Sequence, residues 1–137
     1  MGRRRTDTRG GDAALSLVLR AAPDAGGRVR AGLAEVPCGL CPRRLREALV
    51  AVTEAVNNAC LHAYGPDGGT VEVRAWARGG GLVVLVVDHG AGFAVGSGTR
   101  GRHTGLGFGL RLMDDLCTRL LVESRPGRTA VTMGFDP

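Results

Sequence analysis

Residues 42–64 read PRRLREALVAVTEAVNNACLHAY, and their spacing predicts a long amphipathic helix. Pro42 suits a first helical position, where its missing N–H is not needed. Leu45, Leu49, Val52, Val56, Ala59 and Ala63 recur at three and four residues, forming one apolar stripe. Gly65 and Pro66 end the helix. Glu54 and Asn58 lie four residues apart, one above the other, and at 100° per residue fall almost opposite the stripe. They form either a solvated polar face or a carboxylate and an amide oxygen presented to a ligand. An amide oxygen suits Mg²⁺, and a glutamate can accept a proton from a hydroxyl.

On the N-terminal side, Ala13–Arg20 alternates as a strand, and Pro23-Asp24 opens a short helix that runs to about Glu35. On the C-terminal side, Thr70–Ala77 and Leu82–Asp88 are joined by a glycine-rich turn and read as a hairpin. A glycine-rich stretch from Gly90 to Gly109 leads into a helix that ends near Cys117. Leu120–Ser124 and Thr129–Phe135 then flank Arg125-Pro126-Gly127-Arg128, a second turn signal. The order β-α-α-β-β-α-β-β predicts an α+β two-layer sandwich, with helices on one face of a mixed, mostly antiparallel sheet.

The length of 137 residues supports one domain and one core. Residues 12–137 form that domain, and residues 1–11 read as a disordered basic tail. The 44% apolar and 23% charged composition excludes a low-complexity chain. The longest apolar run, Leu82–Val87, falls far short of the ~18 residues of a membrane span. MGRRRTDTRG has no apolar segment behind its arginines, so the expectation is a cytoplasmic protein without a signal peptide. All 18 basic residues are arginine and the net charge is +5, of which Arg3, Arg4, Arg5 and Arg9 against Asp7 place +3 in the tail. With the excess concentrated there, direct nucleic-acid binding is not expected of the domain. Cys38-Gly39-Leu40-Cys41 has the spacing of half a zinc site or of a redox pair, but no second pair completes a zinc site, and Arg28–Val36 before it reads as helix where a redox motif would follow a strand. The two thiols read as small, semi-buried and reduced.

Two further motifs accompany Glu54 and Asn58. Asp88-His89-Gly90-Ala91-Gly92 ends an apolar strand; it is either an aspartate-initiated turn or an acceptor for a base amine, with glycines closing on the ring. Gly105-Leu106-Gly107-Phe108-Gly109 precedes a helix. It is either a loop that needs glycine or an anion site built from amides at a helix N-terminus.

Taken in order, E-x-x-x-N, D-x-G-x-G and G-x-G-x-G resemble the GHKL ATP-binding superfamily. TEAVNNACLHAY, VVDHGAGF and TGLGFGLRLMDDL carry the resemblance, which extends from about Ala13 to Phe135 and is nearest to the anti-sigma-factor serine/threonine kinases. The resemblance implies a Bergerat-type fold that binds ATP and Mg²⁺. Asn58 would coordinate the metal, and Glu54 would be the general base for a seryl hydroxyl. Asp88 would hold the adenine amine, with Gly90 and Gly92 lining the base. Gly105, Leu106, Gly107, Phe108 and Gly109 would wrap the phosphates. Arg28 would serve partner contact or phosphate chemistry, and His62 could wall the pocket.

The implied partners are an anti-anti-sigma (STAS-type) protein, a sigma factor, and a second copy in a homodimer. The segment between Gly92 and Gly105, with Arg100 and Arg102, is short for a lid over ATP. The alternative is therefore a non-catalytic ATP-binding regulator that sequesters a partner. With no separate phospho-accepting histidine domain in the 137 residues, the expectation is a stand-alone ATP module rather than a complete sensor kinase.

Overall fold

The computed structural model describes residues 12–63, 68–90 and 107–137. Five strands, β1 (Leu15–Arg20), β2 (Thr70–Arg78), β3 (Gly81–Asp88), β4 (Arg119–Arg125) and β5 (Arg128–Phe135), form one sheet in the order β1-β2-β3-β5-β4. Every ladder among the described residues is antiparallel, so the described sheet is not mixed. The long β3–β4 connection carries the chain past one strand position, and β5 then folds back into the gap as the second arm of a hairpin. Both hairpins have two-residue turns. Gly79 and Gly80 sit at φ 56° and 80°, the left-handed values that match the strand twist, and Gly127 sits at 85°.

Three helices, α1 (Ala25–Ala34), α2 (Pro42–Asn58) and α3 (Gly107–Leu116), cover one face of the sheet. The core joins Leu19, Val71, Val73, Val84, Val86 and Met133 of the sheet to Val29, Leu33, Val52, Val56 and Met113 of the helices. Strand alternation places Val83, Leu85 and Val87 on the opposite, outer face. α2 lies in the middle, with α1 on one flank and α3 on the other.

The buried face of α2 is Ala48, Ala51, Val52, Ala55 and Val56, whereas Leu45 and Leu49 of the expected stripe are only half-buried. Alanines face the sheet because a helix packed on both flanks approaches it closely, displacing the larger residues to its sides. The α-helix also stops before the expected end. From Ala59 to Ala63 the backbone takes a π-helical turn, which widens the helix immediately after Asn58.

One polar hub locks the end of the molecule away from Asn58. Arg44, early in α2, donates to the Leu116 carbonyl at the end of α3, to the Asp136 carbonyl (3.0 Å) and to Thr118 Oγ1 (2.8 Å). Its guanidinium also lies 5.5 Å from the centre of the Phe135 ring. A carbonyl at a helix C-terminus has no intrahelical partner, so Arg44 satisfies one while tying three elements together.

Candidate nucleotide site

The opposite end of the molecule collects the polar residues. Asp88 is the last residue of β3 and is 4% exposed. Its carboxylate accepts a hydrogen bond of 3.1 Å from the Gly90 amide, which turns the chain sharply after the strand. Burial raises its pKa from the ordinary aspartate value, partly offset by that hydrogen bond and by His89. A buried carboxylate facing a cavity is an acceptor awaiting a donor.

That cavity lies between α2, α3 and the ends of β3 and β5. Val86, Val131, Leu110 and Met113 give it apolar walls, and Ala55 and Ala59 keep the α2 side shallow. Its polar groups are Asn58, Asp88 and Thr129. Thr129 was not legible as a site residue. It is 1% exposed, pairs across the ladder with Asp88, and its hydroxyl lies 2.9 Å from Ser124 Oγ. Only the register between strands 41 residues apart brings it to Asp88, so no local motif could have revealed it.

Glu54 and Asn58 do not face open solvent, as the helical wheel suggests. Both are half-buried on the flank of α2 that receives α3. The contact runs through Gly109: a Cβ there would lie 2.8 Å from Asn58 Nδ2 and 3.4 Å from Glu54 Oε2. Glycine at this position thus lets the first turn of α3 reach the two polar side chains. α3 begins at Gly107, so its unpartnered first-turn amides and positive dipole end come to the same place.

Phe108 lies in that first turn. Gly90 stands two residues after Asp88, as the motif requires, and donates its amide to the Asp88 carboxylate. Gly92, Gly105, Leu106, Tyr64, the segment with Arg100 and Arg102, and the tail 1–11 lie outside the described residues. Arg28 is exposed on α1, which packs on the other flank of α2 through Gly26 against Asn57 and Thr53. The described residues therefore bring together Glu54, Asn58, Asp88 and Gly109 but leave Arg28 apart from them.

The cysteines do not compete for this role. All four are free, with Cys41 exposed and Cys38 half-buried. Burial raises the Cys60 thiol and pushes Cys117 up to about 12, which keeps both protonated and unreactive. Among the described residues no cluster of three histidine, cysteine or acidic side chains could cage a metal, and no helix is long and apolar enough to cross a membrane.

A family model described as the histidine kinase-like ATPase domain matches residues 19–135. No curated protein matches the chain. Among solved structures, the RsbU and RsbW domains of a Mycobacterium tuberculosis protein superpose with a TM-score of 0.67 and 26% identity, over 88% of this chain and 31% of that one. The histidine kinase domain of a blue-light-activated histidine kinase from Erythrobacter litoralis gives 0.60 and 20%, over 80% and 58%. A longer structure of the same kinase gives 0.59 and 21%, over 80% and 39%. The chain thus spans under a third of the first structure's length and is similar to the two histidine kinase structures in fold.

Proposed function

The chain belongs to the family of histidine kinase-like ATPase domains, and we propose that it binds Mg·ATP and acts as an anti-sigma-factor-type serine/threonine kinase. The observation that carries this reading is the convergence of Glu54 and Asn58 on Gly109 at the start of α3, above a buried Asp88. Asp88 accepts the exocyclic amine of adenine at the cavity's inner end. Thr129, beside it, supplies a hydroxyl to the same base edge. The apolar walls take the faces of the ring, and Gly90 and Gly92 let the backbone close over it. The amides of the glycine-rich segment and of the α3 N-terminus, from Gly105 to Gly109, take the phosphates.

The donor set fits Mg²⁺. One amide oxygen on Asn58 beside one carboxylate on Glu54 is too sparse for an all-protein cage, and suits an ion held mainly by phosphates and water. When bound, the ion supplies positive charge to the phosphate oxygens. Glu54 stands next to Asn58 to receive the proton of the attacking hydroxyl. Catalysis in this reading is positioning plus electrostatics, which a rigid α2–α3 contact provides.

The M. tuberculosis similarity includes an RsbW domain, which supports a protein partner of the regulatory kind. We take the partners to be a STAS-type anti-anti-sigma protein and a sigma factor, with Arg28 on exposed α1 available to meet them, and the working form to be a cytoplasmic homodimer. The short Gly92–Gly105 segment favours a second reading, an ATP-dependent binder that holds a partner without turnover. Calorimetric titration of Mg·ATP into the wild type and Asp88→Asn tests the pocket. Phosphoryl transfer to a STAS-type partner by Glu54→Gln separates the two readings. The kinase reading requires transfer to fail while ATP still binds; unchanged transfer would remove Glu54 as the base.

A further inference from the structure

Ser124, Thr129 and Asp88 stand in one row across the neighbouring strands β4, β5 and β3, at one end of the sheet. Arg125 and Arg128 close the two-residue β4–β5 turn, so Ser124 and Thr129 form the next pair. In the antiparallel alternation that pair exchanges no backbone hydrogen bonds and brings its side chains closest together. Their hydroxyl oxygens accordingly lie 2.9 Å apart. Asp88 flanks Thr129 on the other side. Of the three, Asp88 and Thr129 line the cavity between α2 and α3, and the half-buried Ser124 stands behind Thr129.

A threonine hydroxyl carries one proton and two acceptor lone pairs. Branching at Cβ leaves the Thr129 side chain few rotamers, so the strand fixes the oxygen and only the O–H direction is open. At 1% exposure, bulk water does not set that direction. The base that Asp88 would hold does. The two ring nitrogens that flank the exocyclic amine of adenine are both acceptors, so Thr129 can serve that edge only by pointing its proton into the cavity. Its oxygen must then accept from Ser124 rather than donate to it. The Asp88 carboxylate, on the cavity side of Thr129, draws the proton the same way, and each hydrogen bond in such a chain polarises the next.

We propose that Ser124 is a positioning residue of the nucleotide site: it donates to Thr129 and so holds Thr129 as a donor to a ring nitrogen of adenine. The inference rests on the nucleotide reading above and deepens it. Asp88 selects the amine, and the Ser124–Thr129 pair selects the acceptor beside it. The row thus reads a donor and an acceptor on one edge of the base, although Ser124 never touches the ligand. Without Ser124, the Thr129 hydroxyl loses the partner that fixes its direction.

Calorimetry on the full chain tests this with Mg·ATP and with two analogues, 1-deaza-ATP and 7-deaza-ATP, in which one or the other of those ring nitrogens is replaced by C–H. Ser124→Ala is expected to weaken Mg·ATP about 3- to 10-fold. It should leave unchanged the binding of the one analogue that lacks the nitrogen Thr129 meets. Thr129→Val should show the same pattern, and the double variant should bind no more weakly than Thr129→Val alone. Ser124→Thr, which keeps a hydroxyl, should recover most of the affinity. Ser124→Ala against the three nucleotides decides the matter even where Thr129→Val does not fold. Unchanged Mg·ATP affinity in Ser124→Ala overturns the proposal. So does an equal loss for ATP and both analogues, which makes Ser124 merely structural, and so do penalties that add in the double variant. A folded wild type that binds no Mg·ATP overturns the nucleotide reading and this inference with it. Wild-type binding that needs Asp88 but is indifferent to Ser124→Ala overturns this inference alone.

Discussion

Asp88 answers two opposed demands. Its ionised carboxylate is the acceptor a base amine needs, but burial makes that ionised form costly. The two properties should therefore move in opposite directions with pH. With its folded pKa raised above the unfolded value, the folded state binds the extra proton first. Acidification through that interval then stabilises the empty fold. The same protonation removes the acceptor, so nucleotide affinity should fall at a higher pH than an exposed carboxylate would give. Asp88→Asn should reproduce the acid form at neutral pH: a melting temperature equal to or above wild type, and Mg·ATP affinity down by about 10- to 100-fold. Thermal unfolding and calorimetry across pH 4–8 read both; a variant that lost stability along with binding would refute the trade-off.

Among the elements, the α2–α3 contact is the one on which the proposed chemistry depends. Gly109→Ala would add a methyl 2.8 Å from Asn58 Nδ2, so the Asn58 side-chain amide must move aside. Alanine also favours helix over glycine by about 0.8–1 kcal/mol, which offsets part of the clash. Stability should thus change little, while phosphoryl transfer falls by about 10- to 100-fold through displacement of Glu54 and Asn58. Single-turnover transfer alongside thermal melting checks this, and an unaltered transfer rate would show that the contact does not position the pair. Arg44 gives the converse case at the far end of the same helix. Arg44→Ala leaves the Leu116 and Asp136 carbonyls and Thr118 without their donor, and should cost about 2–3 kcal/mol. Denaturant unfolding should register that loss with Mg·ATP affinity retained. A large drop in affinity would mean that the two ends of α2 are coupled.

The described residues form a sheet with helices on one face, preceded in the sequence by a basic N-terminal stretch. The described strands and helices lie within residues 15–135, and removal of residues 1–11 is expected to change stability by no more than about 0.5 kcal/mol. Mg·ATP affinity should also persist, and any salt-sensitive association with nucleic acid should disappear with the arginines. Melting, calorimetry and a filter-binding assay on the shortened chain make the comparison; retained nucleic-acid binding would move that activity into the folded body.

The element order, both hairpins and the Glu54–Asn58, Asp88 and Gly107–Gly109 motifs were legible in the chain. Each rests on local rules: helical or strand periodicity, proline and glycine punctuation, and short fixed spacings. The order of the strands across the sheet, the alanine face of α2, the approach of Gly109 to Asn58 and the pairing of Thr129 with Asp88 were not. They depend on contacts between segments tens of residues apart, which no local pattern records. The helical wheel placed Glu54 and Asn58 correctly relative to the stripe, but a wheel knows only its own helix. It could not show that α3 would occupy that flank, because a second helix packs there only once the sheet has set where both must lie.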